Sequence, residues 1–200
     1  MKINYQLETD KIIGTLESKP RLLLHSCCGP CSSYVLEYLM PYFDVAVLYF
    51  NPNIQPENEY LRRLDTQKQL IAGMCPGTEL LEIGWDGVSF NEISTGLEKE
   101  PEGGARCTAC FSLRLERTAH IAKERGFDFF CTTLTVSPHK DAVRINKIGF
   151  TLAEKYGVRW LPSDFKKREG YKKSIELSKK YGLYRQNYCG CIFSKSPHQQ

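Results

Sequence analysis

No stretch of this 200-residue sequence is apolar for long enough to span a bilayer. Residues 20–50 come nearest, but Pro30, Glu37 and Asp44 break them into separate elements. The first fifteen residues mix Lys, Glu and Asp with apolar side chains and contain no signal-peptide core. These absences predict a cytoplasmic protein with no membrane partner, in a compartment where thiols stay reduced. Phosphate-cradling loops are missing as well. No G-x-G-x-x-G follows the first apolar run and no G-x-x-x-x-G-K-[ST] occurs anywhere, so dinucleotide and Walker-type binding are unsupported. There is no internal repeat, low-complexity tract or clear linker. One domain over residues 1–200 is the expectation, with 1–19 as an N-terminal extension and 195–200 as a C-terminal tail.

What the chain does carry is cysteine: nine, an odd number that argues against a simple disulfide framework. Seven of them fall into three tight groups, Cys27-Cys28-Gly29-Pro30-Cys31, Cys107-Thr108-Ala109-Cys110 and Cys189-Gly190-Cys191. Long stretches separate the groups, so only folding brings them together, as a metal or iron–sulfur site requires. A tetrahedral zinc takes four ligands, and seven thiols exceed that supply. The excess points to a cluster, to two metals, or to a metal beside a redox pair. Cys28 to Cys31 also forms a CxxC enclosing Gly-Pro, as thioredoxin-type dithiols do, but a redox dithiol needs no further cysteine groups. Cys107 and Cys110 open a helix, where the helix dipole and Arg106 favour thiolates. Structural zinc, held by the CxxC and CxC pairs alone, leaves Cys27, Cys28 and Cys31 surplus. Cys131 lies in an apolar run and reads as core; Cys75, before Pro76, has no evident role.

Apolar periodicity predicts alternating strands and helices: strand 21–25, helix 32–42 capped by Ser32 or Ser33, strand 44–50, helix 57–74 and strand 79–85. A weakly patterned short helix and loop over 86–104 follow, then helix 107–125, strand 127–133, helix 142–156, strand 158–161 and helix 171–181. The fold class is α/β, a mostly parallel sheet flanked by helices, of Rossmann-like or HUP-like type. In such sheets ligands sit at the carboxyl ends of strands, and Cys27–Cys31 lies at the end of the first.

A formal net charge of +4 does not by itself imply a nucleic-acid partner. Its distribution is more telling, because Lys166, Lys167, Arg168, Lys172, Lys173, Lys179, Lys180 and Arg185 crowd one segment against only Glu169 and Glu176. Such a stretch neutralises phosphates, or equally is a solvated helix face. His25, two residues before Cys27, reads as a proton donor, a partner of a ligand, or a core histidine.

Several runs resemble the cobalamin-independent epoxyqueuosine reductases. They are Leu24-His25-Ser26-Cys27-Cys28-Gly29-Pro30-Cys31-Ser32, Asn51-Pro52-Asn53-Ile54 with Glu59-Tyr60 and Arg63, and Arg106-Cys107-x-x-Cys110 with Arg114-Leu115. The Thr132-Thr133-Leu134 to Ser137-Pro138 segment and Tyr184-Arg185-Gln186-Asn187-Tyr188-Cys189-Gly190-Cys191 complete the likeness, the last being the most specific. The resemblance covers roughly residues 20–194. It implies the last step of queuosine synthesis: two-electron reduction of the epoxide of epoxyqueuosine to queuosine, at the wobble position of the GUN-anticodon tRNAs for Asp, Asn, His and Tyr. It further implies a 4Fe-4S cluster near a further iron, held by Cys107, Cys110, Cys189 and Cys191 with Cys27, Cys28 and Cys31, and an electron donor that the sequence does not name. At the Cys31 position the family also uses Asp. His25, Tyr60 and Tyr188 are the expected proton donors; Lys166, Lys167, Arg168, Lys172, Lys173, Tyr184 and Arg185 are the expected tRNA contacts. Two rivals remain in view. A tRNA-thiolating enzyme needs an SGGxDS loop, which is missing; a zinc-stabilised, non-catalytic nucleic-acid-binding protein would be colourless and hold stoichiometric zinc.

Overall fold

A five-stranded, wholly parallel sheet organises the chain in this computed structural model, which describes residues 3–194. The strands are β1 (Arg21–His25), β2 (Asp44–Tyr49), β3 (Leu80–Glu82), β4 (Phe129–Thr132) and β5 (Arg159–Trp160), in the order β3-β2-β1-β4-β5. Parallel strands buried on both faces read as continuous apolar runs, which is why β1 is Arg-Leu-Leu-Leu-His and β2 Asp-Val-Ala-Val-Leu-Tyr. Leu22, Leu24, Val45, Val47, Phe129 and Cys131 turn to one face, where they pack with helices α2 (Gly29–Leu39), α3 (Glu57–Met74) and α7 (Gly170–Lys180). Leu23, Ala46, Leu48 and Phe130 turn to the other, under α5 (Ala105–Glu124) and α6 (Ala142–Tyr156). Full burial of each such leucine contributes roughly 1.5–3 kcal/mol. The α/β, mostly parallel architecture expected from the sequence is therefore the one observed.

Several boundaries differ for local reasons. The second helix starts at Gly29, with Pro30 in its first turn, so Cys28 rather than Ser32 or Ser33 is the N-cap. Ser32 and Ser33 lie inside the helix, their hydroxyls bonded to the Cys28 and Pro30 carbonyls at 3.0 and 2.8 Å. The fourth strand stops at Thr132, whose hydroxyl accepts from Leu134 N–H and caps a 3-10 turn over Thr133–Val136. The weakly patterned region contains α4 (Gly87–Ser94), capped by Asp86.

The first 19 residues, expected as an extension, contain helix α1 (Tyr5–Gly14). It is bound into the fold: Thr9 Oγ1 lies 2.6 Å from the Pro162 carbonyl, Gln6 Nε2 donates to Tyr38, and Asp10 pairs with Arg168. The 195–200 tail lies outside the described residues. No helix among the described residues is long and apolar enough to cross a membrane.

Candidate metal centre and substrate cleft

Strand order reverses around β1: the chain steps outward to β2 and β3 on one side, then returns to β4 and β5 on the other. The crevice at such a switch point, beyond the carboxyl ends of the strands, is where open parallel sheets bind ligands. The segments leaving β1 and β4 meet there, as Cys27 N–H donates to Thr133 Oγ1 at 3.0 Å and that hydroxyl donates to Cys27 Sγ at 3.2 Å. A cleft of about 370 Å³ opens at this point, lined by Cys27, Cys31, Cys189, Arg63, Arg114 and Lys140 among others.

The turn after β1 gathers the first thiol group. The sulfurs of Cys27, Cys28 and Cys31 all lie within 4.8 Å of one another, the only such trio among the described residues. Cys27 and Cys28 sulfurs are 3.8 Å apart. A tetrahedral thiolate site with bonds of ~2.3 Å keeps its sulfurs roughly 3.8 Å apart, so this trio is spaced for one metal ion. Hydrogen bonds from Cys27 and Cys31 hold the Cys28 thiol well below its ordinary pKa, with further help from Gln186. Those same contacts raise Cys31, through Cys27 and then Cys28, and raise Cys27, through Cys28.

The other two groups come from the first turns of α5 and from the C-terminal loop. Cys110 and Cys191 are buried in one cluster with Phe90. Burial pushes the Cys110 thiol up to about 11, and raises Cys191 in the same direction. Cys107 Sγ accepts from Gly103 N–H at 3.2 Å, and Cys189 Sγ accepts from the Lys140 ammonium at 3.2 Å. Gln186 Nε2 likewise donates to Cys28 Sγ at 3.1 Å. Donors aimed at sulfur are what a thiolate ligand uses to satisfy its remaining lone pairs, so the donor set fits a sulfur-ligated metal centre. No three of Cys107, Cys110, Cys189 and Cys191 crowd within 4.8 Å, so this set is more widely spaced than the first.

Buried arginines fix these loops. Arg63, 1% exposed, pairs with Glu59 at 2.6 Å and donates to the carbonyls of Cys189 and Tyr188, clamping the CxC turn onto α3. Arg106 donates to the carbonyls of Leu97, Glu98 and Glu100, which ties down the loop before α5. Arg114 reaches Asn51 Oδ1 at 2.5 Å, while Asn51 Nδ2 donates to the Ser26 carbonyl at 2.9 Å, joining α5 to the ends of β1 and β2.

Of the three expected proton donors, only Tyr188 lines the cleft, with its hydroxyl donating to the Gln55 carbonyl at 3.2 Å. His25 is fully buried: Nδ1 lies 2.8 Å from Thr132 Oγ1 and Nε2 3.1 Å from the Phe50 carbonyl. Burial first, then the Arg114 charge, lowers its pKa to about 3, and the ring is not among the side chains lining the cleft. Tyr60 is also buried, packed on Tyr49, and its hydroxyl donates to the Ile83 carbonyl.

The expected tRNA contacts divide similarly. Arg185 lines the cleft, its guanidinium held by the Ser174 carbonyl and Ser178 Oγ at 3.2 Å each. Lys167, Lys172 and Lys173 are exposed, Lys172 lying 3.4 Å from Glu169 and Lys173 over the Tyr34 ring, whereas Lys166 pairs with Asp164 and Arg168 with Asp10. Tyr184 lies against Glu59, with the Arg62 guanidinium 3.5 Å over its ring. Sequence reasoning missed Arg114 as a cleft residue, although it follows Cys110 by four residues and so shares its helix face. Nothing in the sequence signals that Lys140 reaches Cys189.

Comparison with known proteins identifies the family. The family model described as epoxyqueuosine reductase QueH matches residues 22–197. The epoxyqueuosine reductase QueH of Staphylococcus epidermidis is 46% identical, covering 96% of this chain and 85% of its own length. That of Staphylococcus aureus is 44% identical over 96% and 84%, and that of Thermotoga maritima 38% over 86% and 89%. The chain belongs to the QueH family of epoxyqueuosine reductases and is an oxidoreductase of queuosine biosynthesis.

Proposed function

We propose that the cleft removes the epoxide oxygen of epoxyqueuosine at the wobble position of GUN-anticodon tRNAs, those for Asp, Asn, His and Tyr, and that the seven clustered thiols hold a 4Fe-4S cluster beside a further iron. The observation carrying this reading is that Cys27 and Cys31 of the first thiol group and Cys189 of the third line one cleft at the sheet's switch point, while Cys110 of the second is buried in one cluster with Cys191. The closely spaced Cys27, Cys28 and Cys31 suit a single iron, and the wider set of Cys107, Cys110, Cys189 and Cys191 suits a cluster. When bound, such a centre supplies single electrons and a Lewis-acid site for oxygen.

The protein's own residues do the rest. Epoxide to alkene plus water takes two electrons and two protons; the electrons come from an external donor. Tyr188, lining the cleft, is the side chain we assign to proton delivery from its hydroxyl. Arg63, Arg106 and Arg114 hold the ligand loops in place. Lys167, Lys172, Lys173 and Arg185 bind phosphates of a tRNA whose wobble nucleotide is turned out of its stack into the cleft.

The test is anaerobic turnover of tRNA bearing epoxyqueuosine by metal-reconstituted protein with a chemical reductant, followed by mass spectrometry of the nucleosides. Loss of one oxygen from the modified nucleoside is expected. An unchanged nucleoside, with metal fully loaded, would overturn the assignment of substrate.

A further inference from the structure

A wobble nucleoside drawn into the cleft leaves its neighbours in the stack, and something must replace that stacking. Tyr171 and Tyr188 line the cleft, and Tyr184 precedes Arg185, which also lines it; Tyr188 is engaged, its hydroxyl donating to the Gln55 carbonyl and the Arg63 guanidinium lying 4.9 Å from its ring centroid. Tyr184 is not available, because the Arg62 guanidinium sits 3.5 Å over its ring and its hydroxyl faces Glu59. Tyr171 is different. It lines the cleft from the first turn of α7, is 39% exposed, and is flanked in sequence by the exposed Lys172 and Lys173. Its ring is thus open to a flat ligand at the mouth of a nucleoside-sized cleft.

Its surroundings are built rather than incidental. The Arg185 guanidinium lies 5.7 Å from the Tyr171 ring centroid, within cation–π range. That guanidinium is itself locked by the Ser174 carbonyl and Ser178 Oγ, so the ring and the cation form one fixed unit on α7. Ser174 Oγ donates to the Tyr171 carbonyl at 2.6 Å, which stiffens the same turn. A planar aromatic beside a fixed guanidinium and flanking lysines is the arrangement with which proteins take up an unstacked base together with its phosphates.

From this juxtaposition we propose that Tyr171 is the stacking platform for a nucleobase, specifically the base of the wobble nucleotide as it enters the cleft. The inference rests on the reading of tRNA as substrate. Stacking is tolerant of base identity, so Tyr171 grips the base without choosing it.

The test compares two anticodon stem-loop RNAs, one with guanine at the wobble position and one abasic there, binding to metal-reconstituted protein. The unaltered protein should prefer the guanine RNA by roughly 5- to 150-fold, the span of one base–aromatic stack. Tyr171→Ala should collapse that ratio towards one while leaving affinity for the abasic RNA unchanged, and Tyr171→Phe should retain it. A Tyr171→Ala protein that keeps the ratio, or that weakens both RNAs equally, overturns the platform. So does an unaltered protein that binds both RNAs alike, and in these cases turnover of epoxyqueuosine tRNA leaves the proposed function standing. An unaltered protein that binds neither RNA overturns the platform as well, and the proposed function then stands or falls with the turnover assay.

Discussion

At the scale of single residues, cysteines of one chain serve opposite ends, and the neighbours of each sulfur separate them: Cys28 sits among other thiols and Cys110 beside Cys191, whereas Cys75 and Cys131 pack into the apolar core. Cys75 caps the end of α3 inside the core, and Cys131 is fully buried in β4. Cys75→Ala should cost about 1 kcal/mol and leave metal content unchanged, whereas Cys189→Ala should lose metal and turnover together; a Cys189→Ala protein with full metal and full activity would sink the site. Cys131 also makes a pH prediction. Burial pushes its thiol up to about 12, while an unfolded thiol ionises near ~8.5. Above that lower value the unfolded chain binds fewer protons than the native one, so stability is intact below it and falls as pH rises towards 12. Urea unfolding of metal-free protein at rising alkaline pH should show this decline, and Cys131→Ala should make it shallower; an identical decline in both would refute it. Gly190 supplies the sharpest steric case. Its φ of +107° is costly for any residue with a Cβ, and an added Cβ would sit 2.9 Å from both the Arg63 guanidinium and Ile54. Gly190→Ala should therefore displace the CxC turn and lower metal occupancy even where the sheet stays folded.

At the scale of elements, punctuation decided what could be read from sequence. Helix α3 runs over Glu57–Met74 as expected, because Pro56 opens it and Cys75-Pro76 ends it; α6 ends at Gly157 in the left-handed conformation. Helix α1 carries only a start signal, the Asn4 side chain accepting from Gln6 N–H; Ile12 and Ile13 pack on the core, and its polar contacts to Tyr38, Pro162 and Arg168 are ones that only the fold creates. The basic segment is one element in sequence but two in energetics. Arg168 is tied to Asp10 of α1, so Arg168→Ala should act on stability; Lys172 and Lys173 are exposed on α7, and the Lys172–Glu169 pair is itself solvent-exposed. Replacing both lysines should weaken tRNA binding and reduce the slope of log affinity against log salt by roughly 1.4–1.8, as two lost phosphate contacts require. An unchanged slope would remove α7 from the tRNA interface.

At the scale of the whole molecule, the sequence already located the site at the carboxyl end of β1, since a cysteine run directly after an apolar strand has one place to go in a parallel sheet. It could not show which charges enclose it. Arg63 and Lys140 reach Cys189 across 126 and 49 residues, and such contacts follow from topology rather than spacing. On the proposed ligand set, the metal centre would tie together the β1–α2 turn, the start of α5 and the C-terminal loop, over a sheet packed on both faces by its own apolar clusters. Metal binding stabilises only the folded arrangement of these loops, so its free energy is local before it is global. Removing the metal under reducing, anaerobic conditions should lower the melting temperature and strip hydrogen-exchange protection from residues 97–110 and 184–194, while β1, β2 and β4 keep theirs. Equal loss of protection across the sheet would mean that the core itself depends on the metal. No loss in either segment would mean that Arg63 and Arg106 alone hold the ligand loops, and that the site is preformed for its metal.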